Sequence, residues 1–478
     1  MYNYIQNLKG EHTMSRLDTI NEYAEKYKEE MLASIAEVIA IDSTEQEPKE
    51  GMPFGEGPAA ALKKALEIAD TLGFNVKNLD NYAGYAEIGE GDEIIGVLGH
   101  LDVVPASDGW DTDPFKLIQK DGVLYARGVT DDKGPIIAAM YAAKIVADMD
   151  VPLSKRIRIV FGTNEETGFG CVKHYAEAEG GFDCGFTPDA SFPLIFGEKG
   201  NYNACFCGKT NTPGSKIQIV SIKGGEAKNI VCGKCTAQLK TTENHDKIAS
   251  KLKKYADKNT LEAESSSQGD ILTLTLIGKP AHASTPELGI NAASHLMKFL
   301  EEFIPESPFI KGYNNAIGLS YDGSKAGIAY FDEYGALTFN VGTLEANEYT
   351  ASGTIDIRYP ITTKDFKPYS DTLAETLINN DMQLDAYTIG KPLFVDPASS
   401  LVAELYRAYT EVTGDTQNKP YTIGGGTYAK AFDNIVAFGP EYPGYEHNIH
   451  TANEQMPVEY LMNAVKVYAN ALIALLKI

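Results

Sequence analysis

Two blocks of alternating helix and strand patterns, separated by a long stretch of different texture, restrict the fold of this chain more than any other feature. From about residue 58 to 200, "AAALKKALEIADTLG" and "GPIIAAMYAAKIVADM" carry apolar residues at helical spacing, while "EIIGVLG" and "RIRIVFGT" are short apolar strands. Such alternation predicts a sheet covered by helices. The same texture returns after about residue 386, with "SSLVAELYRAYTEVTG" as helix, "NIVAFGP" as strand and "VEYLMNAVKVYANALIALL" as a closing helix. In between, strands such as "SKIQIVSI", "ILTLTLIG" and "ASGTIDIRYP" dominate, and two helices are predicted, "INAASHLMKFLEEF" and one near "YSDTLAETLINN".

A chain of 478 residues exceeds one typical core of about 100 to 200 residues. The expected organisation is an α/β domain over residues 1–200 and 386–478, interrupted by an α+β insert over 201–385. Within the insert, "IQIVSIKGGEAKNIVCGKCTAQLK" and "LTFNVGTLEANEYTASGTIDIRY" share a strand, a glycine-containing turn and a second strand, which suggests a duplication.

The formal net charge of −24, from 66 acidic and 42 basic residues, repels polyphosphate and argues against a nucleic-acid partner. No apolar run reaches the roughly 18 residues that span a bilayer, and "MYNYIQNLKGEHTM" lacks the apolar core of a signal peptide. A soluble cytoplasmic protein without a membrane partner is expected, with residues 1–13 an extension ahead of the amphipathic segment that begins at Met14. The six cysteines are too sparse for a disulfide scaffold. Cys232 and Cys235 form a CxxC with no second CxxC or paired histidines to complete a zinc quartet, so buried reduced thiols are expected.

Several apolar strands end in metal-capable residues. "IIGVLG" runs into His100 and Asp102, "RIVFGT" into Glu165 and Glu166, "CGFTP" into Asp189, and "NIVAFGP" into a loop with His447 and His450. Asp131 and Asp132 precede a helix, where a single aspartate would be read as a cap. In open α/β sheets ligands bind at the carboxyl ends of strands, so these clusters converge where chemistry is expected. Histidines with carboxylates form a ligand set for zinc or another borderline divalent ion. Two such ions are accommodated if one carboxylate bridges them, and in two-metal sites the shared water has a pKa near 7 and acts as nucleophile. The i, i+2 spacing lets Asp102 hydrogen-bond the ring nitrogen of His100 that is not on the metal. Adjacent Glu165 and Glu166 diverge, so one can ligate while the other serves as general base.

Six segments in order, "GHLDVVP", "GVTDDKGP", "GTNEETG", "TPDASFP", "GKPAHASTP" and "HNIHTANE", resemble the signatures of the co-catalytic metallopeptidases related to aminoacylase and carboxypeptidase G. Their spacing and the long insert look like the dipeptidase V (carnosinase-like) branch. The resemblance covers nearly the whole chain after Met14. It implies His100, Asp131 and Asp189 on one ion, with Asp131, Glu166 and His450 on the other. Asp131 then bridges and Glu165 is the general base. It further implies a cis bond after Asp131, His282 stabilising the oxyanion, and Arg358 gripping the substrate carboxylate. His450 is preferred over His447 because it directly precedes "TANE". Asn229 and the glycine run around Gly425 are placed in the same pocket. After Asp189 the chain reads Ser191-Phe192-Pro193, where relatives often carry another acid.

The fold expected is therefore α/β: a catalytic domain with a mixed sheet and helices on both faces, interrupted by an inserted α+β lid of two ferredoxin-like repeats. The expected activity is hydrolysis of unbranched dipeptides by a monomer carrying two divalent ions, zinc first, with manganese or cobalt accepted by the same ligands. An N-acyl amino acid deacylase or a carboxypeptidase with the same site is the enzymatic alternative. A metal-stabilised binding protein without turnover is the alternative of another class.

Overall fold

The computed structural model describes residues 14–478, so the assignment of residues 1–13 to an extension lies outside the described residues. The chain divides into two compact units. One takes the residues up to Phe196, Val395–Tyr421 and Gly426–Ile478; the other takes Gly197–Phe394 with Thr422–Gly425.

The first unit is α/β. Its mixed sheet runs in the order Asn75–Leu79, Ala83–Ile88, Arg156–Gly162, Ile94–His100, Cys184–Thr187, Ile435–Ala437 and Ile195–Glu198. The inner strands are parallel, Ile94–His100 lying between Arg156–Gly162 and Cys184–Thr187, and Ile435–Ala437 continuing beside Cys184–Thr187. Ile94–His100 is buried along its whole length, as a two-faced central strand must be.

Helix Lys133–Asp148 is buried nearly all round and packs against the helices Arg16–Ile39 and Val458–Leu475. Helix Arg16–Ile39 starts with a capping box. Ser15 accepts from the Asp18 N–H, and the Asp18 carboxylate accepts from the Ser15 N–H. Its far end is bound by Lys133, whose buried ammonium donates to the Val38 and Ile41 carbonyls at 3.2 and 2.7 Å. A cation there complements the helix dipole, while burial lowers the Lys133 pKa to about 7.

The second unit is α+β, built on one antiparallel sheet. Its strand order is Glu262–Gln268, Ile271–Ile277, Lys234–Thr241, Ile217–Gly224, Thr338–Asn347, Thr350–Tyr359, Gly200–Lys209 and Met382–Gly390. The two stretches of similar sequence form the hairpins Ile217–Gly224 with Lys234–Thr241 and Thr338–Asn347 with Thr350–Tyr359, which meet at the centre of the sheet. Each hairpin leads into a helix, His245–Lys258 or Lys367–Ile378, and then an outer strand. The fourth strand of the first half, Ile271–Ile277, follows that outer strand in sequence. In the second half Gly200–Lys209 takes the same place but precedes its hairpin.

Two helices in this unit, His245–Lys258 and Pro308–Ala316, were not among the two predicted from sequence. The unit also extends beyond residues 201–385, because Met382–Gly390 pairs along Gly200–Lys209 and belongs to the same sheet. All six cysteines are free, and Cys232 and Cys235 are buried in the core of this unit. Among the described residues, no helix is long and apolar enough to cross a membrane.

Candidate metal centre

The carboxyl edge of the parallel strands carries the polar cluster. His100 is the last residue of its strand, Glu165 and Glu166 follow Arg156–Gly162, and Asp189 follows Cys184–Thr187. Gly99 is required there. A Cβ at that position would lie 2.2 Å from Asp132 Oδ2 and 2.8 Å from the Ile136 side chain.

Asp131 stands at the centre of the cluster. Its Oδ1 is 3.0 Å from His100 Nε2, and its Oδ2 is 2.8 Å from His450 Nε2. Asp189 Oδ2 lies 3.7 Å from His100 Nε2, and Glu166 Oε2 lies 3.2 Å from His450 Nε2. Donor atoms of His100, Asp131 and Glu166 fall within 4.8 Å of one another, as do those of His100, Glu165 and Asp189. The structure thus brings together all six of His100, Asp131, Glu165, Glu166, Asp189 and His450. Half of the His450 side chain is exposed, whereas His100 is fully buried, so the cluster opens on the His450 side.

The electrostatics are those of crowded acids. Burial, then the neighbouring Asp131, pushes the Asp189 carboxyl well above the ordinary range. Burial also raises Glu165 strongly, with Glu166 and Asp131 adding to it and His100 opposing. Burial acts the same way on Asp131, but hydrogen bonds from His100 and His450 outweigh it and hold that carboxyl far below the usual range. Hydrogen bonds to Asp131 and Glu166 raise His450 to about 10. Oxygen and imidazole donors converging on shared positions, with several acids repelling one another, fit divalent cations: His100, Asp131 and Asp189 could hold one, and Asp131, Glu166 and His450 a second.

The residues behind the cluster differ in part from the expected pattern. His100 Nδ1 donates to the backbone carbonyl of Asp102 at 3.0 Å, and the Asp102 carboxylate stands farther off at 3.5 Å. That carboxylate instead accepts the N–H groups of Glu165 and Glu166, both at 3.1 Å. The chain leaves the strand at His100, so the i, i+2 rule no longer orients Asp102. Asp102 therefore fixes the Glu165–Glu166 turn as much as the imidazole.

Asp132 occupies the N-cap position of helix Lys133–Asp148 without capping it; its Oδ2 accepts from the His100 N–H at 3.1 Å. The Asp131–Asp132 bond is cis. His447 is buried, with Nδ1 hydrogen-bonded to the Gln455 carbonyl at 3.1 Å, and is in neither donor group.

Sequence reasoning missed Glu454 and did not single out Arg127. Glu454 is fully buried. It accepts from the N–H groups of Gly128, Thr130 and Asp131 at 3.0, 2.8 and 3.1 Å, and from Arg127 at 2.8 Å. One side chain thereby shapes the loop that presents Asp131. Glu454→Ala is expected to lower the unfolding free energy by about 3–5 kcal/mol, because it strands a buried guanidinium and leaves three N–H groups without an acceptor. Urea titration of the purified variant measures this, and an unchanged midpoint would remove Glu454 from the role.

The second unit gathers the remaining expected residues among themselves. Asn229 and His282 lie on facing backbone segments, joined by the Ile230–His282 bridge and by Ala283 N–H donating to the Asn229 carbonyl at 2.9 Å. Thr338 Oγ1 donates to the Ala283 carbonyl at 3.1 Å and is paired in register with Arg358. Arg358 makes a two-pronged contact with Asp356, Nε–Oδ1 2.7 Å and Nη2–Oδ2 2.9 Å, and donates to the Gly424 carbonyl at 3.1 Å.

Ser284 N–H donates to His282 Nδ1 at 3.2 Å, so Nδ1 is an acceptor and the neutral ring carries its proton on Nε2. Burial, then the Arg358 charge, lowers the His282 pKa and favours that neutral form. Of the glycine run, Gly424 is the sterically required one, since a Cβ there would meet Ser284 Cβ at 2.4 Å. At Gly425 it would meet only Ile423 at 3.4 Å. The close-approach reason for glycine therefore applies to Gly424 within the protein and not to Gly425.

Comparison with known proteins agrees with this chemistry. Residues 96–474 match the model of "Peptidase family M20/M25/M40". The chain is 38% identical to "Putative dipeptidase YtjP" of Bacillus subtilis, covering 94% of this chain and 98% of that one. It is 35% identical to "Putative dipeptidase SH1171" of Staphylococcus haemolyticus, covering 95% and 98%. Among solved structures, human carnosine dipeptidase 1 superposes with a TM-score of 0.58 at 16% identity, over 97% of this chain and 100% of that one. A metallo-carboxypeptidase from Sulfolobus solfataricus gives 0.58 at 16%, over 94% and 100%. At those identities the structures speak to the fold alone, an α/β catalytic domain with a separate inserted region. With that fold, a cluster able to hold two divalent ions, and the family match across most of its length, the chain belongs to peptidase family M20/M25/M40 and is a metal-dependent peptidase.

Proposed function

We propose that this protein is a dipeptidase of the dipeptidase V (carnosinase-like) branch, cleaving unbranched dipeptides as a cytoplasmic monomer. The hydrolytic reading is carried by Asp131, whose two oxygens face His100 and His450 separately, as a bridging ligand requires. The preference for dipeptides draws on relatives that bear a dipeptidase name and match nearly the whole chain.

Two divalent ions, zinc first and manganese or cobalt as substitutes, would supply Lewis acidity to the carbonyl and acidify the attacking water. The residues of the chain do the rest. Glu165 takes the proton of the attacking water and delivers it to the leaving amine. Burial raises the Glu165 carboxyl, which favours its holding the proton between the two transfers. Asp102 holds the Glu165–Glu166 turn and Glu454 the Asp131 loop, so acceptor and ligands keep their spacing. The insert, read as two ferredoxin-like repeats, acts as a lid that supplies His282 Nε2–H to the oxyanion and Arg358 to the free carboxylate, with Asn229 and Gly425 lining the pocket.

The test is a panel of dipeptides, tripeptides and acetyl-amino acids with the metal-analysed enzyme. Dipeptides are expected to give the highest kcat/KM; turnover of acetylated substrates alone would replace this reading with a deacylase. For the lid residues, His282→Ala is expected to lower kcat by roughly 10²–10³-fold, as loss of one oxyanion donor does. Arg358→Ala is expected to act mainly by raising KM. Kinetics untouched by both substitutions would separate the insert from catalysis.

A further inference from the structure

Glu441 is an acid the proposed mechanism does not use. The short parallel pair of Pro440–Glu441 with Ala190–Ser191 sets Glu441 in register with Ser191, two residues after Asp189. The pairing is fixed from both sides, by Ala190 N–H to the Gly439 carbonyl at 2.9 Å and Phe192 N–H to the Glu441 carbonyl at 2.7 Å. Ser191 Oγ donates to Glu441 Oε2 at 3.0 Å and is its one side-chain hydrogen-bond partner among the described residues. Glu441 is in neither donor group of the metal centre, yet it lies within electrostatic reach of both Asp131 and His450.

The charge balance makes this placement informative. Four carboxylates, Asp131, Glu165, Glu166 and Asp189, already match the charge of two dications. Asp102, Asp132 and Glu454 around the centre are met by backbone N–H groups, and Glu454 by Arg127 as well; Glu441, partly withdrawn from water and held by a neutral serine, adds repulsion unless a further cation meets it. Burial and then Asp131 raise its pKa, in keeping with that deficit. A dipeptide bound for hydrolysis brings one cation that an N-acyl amino acid lacks.

Resting on the dipeptidase reading, we infer that Glu441, braced by Ser191 beside the metal centre, is the anchor for the substrate's free α-ammonium group and so selects dipeptides over N-acylated substrates. A site that holds a charged group in this way rejects the analogue lacking it more strongly than an apolar pocket can.

Glu441→Gln keeps the acceptor for Ser191 and removes the charge. The experiment compares wild type and variant on Ala-Ala, N-acetyl-Ala-Ala and Lys-Ala, with ion content by elemental analysis. It also measures calorimetric affinity for a phosphinic dipeptide analogue with a free or an acetylated amine. Expected for the variant are two ions retained, a KM for Ala-Ala raised about 10- to 100-fold with kcat within a few-fold, and a weaker free-amine analogue only. An unchanged KM for Ala-Ala would overturn the inference. So would an effect confined to Lys-Ala, which would make Glu441 a reader of side-chain charge, or loss of an ion, which would make it a support of the centre. Wild-type enzyme that cleaves no free dipeptide would sink the dipeptidase reading itself and this inference with it, an outcome visible before any variant is made.

Discussion

Glu165→Gln is expected to reduce kcat by roughly 10²–10⁴-fold while both ions remain bound. The amide keeps the size of the side chain and its place in the turn, which Asp102 fixes through the Glu165 and Glu166 N–H groups. What it loses is the ability to accept a proton from water and return it to the amine. The geometry gives the experiment its discriminating power, because Glu165 also falls within donor distance of His100 and Asp189. If elemental analysis shows one ion missing from Glu165→Gln, the residue is a ligand and the base lies elsewhere. If two ions remain and turnover persists, Glu165 has no part in proton transfer.

Asp131→Ala should have the broadest effect on the centre, depleting both ions and abolishing activity. Glu166 makes its close contact with His450 alone, whereas Asp131 presents one oxygen to His100 and the other to His450. Its loss is expected to weaken binding of both ions beyond the roughly 10- to 100-fold typical of removing a residue that merely supports a ligand. Metal titration by calorimetry should show both binding events lost in Asp131→Ala and one weakened in Glu166→Ala. Retention of one tight ion in Asp131→Ala would show that the two positions do not share this carboxylate.

The centre was legible in the sequence because its residues lie at the ends of strands, where an apolar run stops abruptly at a polar group. His100, Glu165, Glu166 and Asp189 all announce themselves this way, and the ordered motifs supply Asp131 and His450. Helix His245–Lys258 was equally legible but was passed over. Asn244 caps it, accepting from the Lys247 N–H, and Ile248, Leu252 and Ala256 repeat at helical spacing and are buried. Its strongly charged remaining face obscured that stripe.

Other features could not be read from order along the chain. Glu454 acts on N–H groups more than 300 residues away, and backbone donors carry no residue signature. The Asp102 carboxylate was assigned to the imidazole because strand periodicity was extended past the end of the strand. Its actual partners are two N–H groups on another strand's turn. Glu441 gains meaning only from lying across from Ser191.

The amino-acid order alone determined the discontinuous α/β architecture, the family, and which side chains are available to bind ions, since periodicity and residue chemistry are local properties. Tertiary structure decided which oxygen faces which imidazole and which carboxylates brace the loops. Those depend on distances of about 3 Å between residues remote in sequence, and only the packed chain sets them.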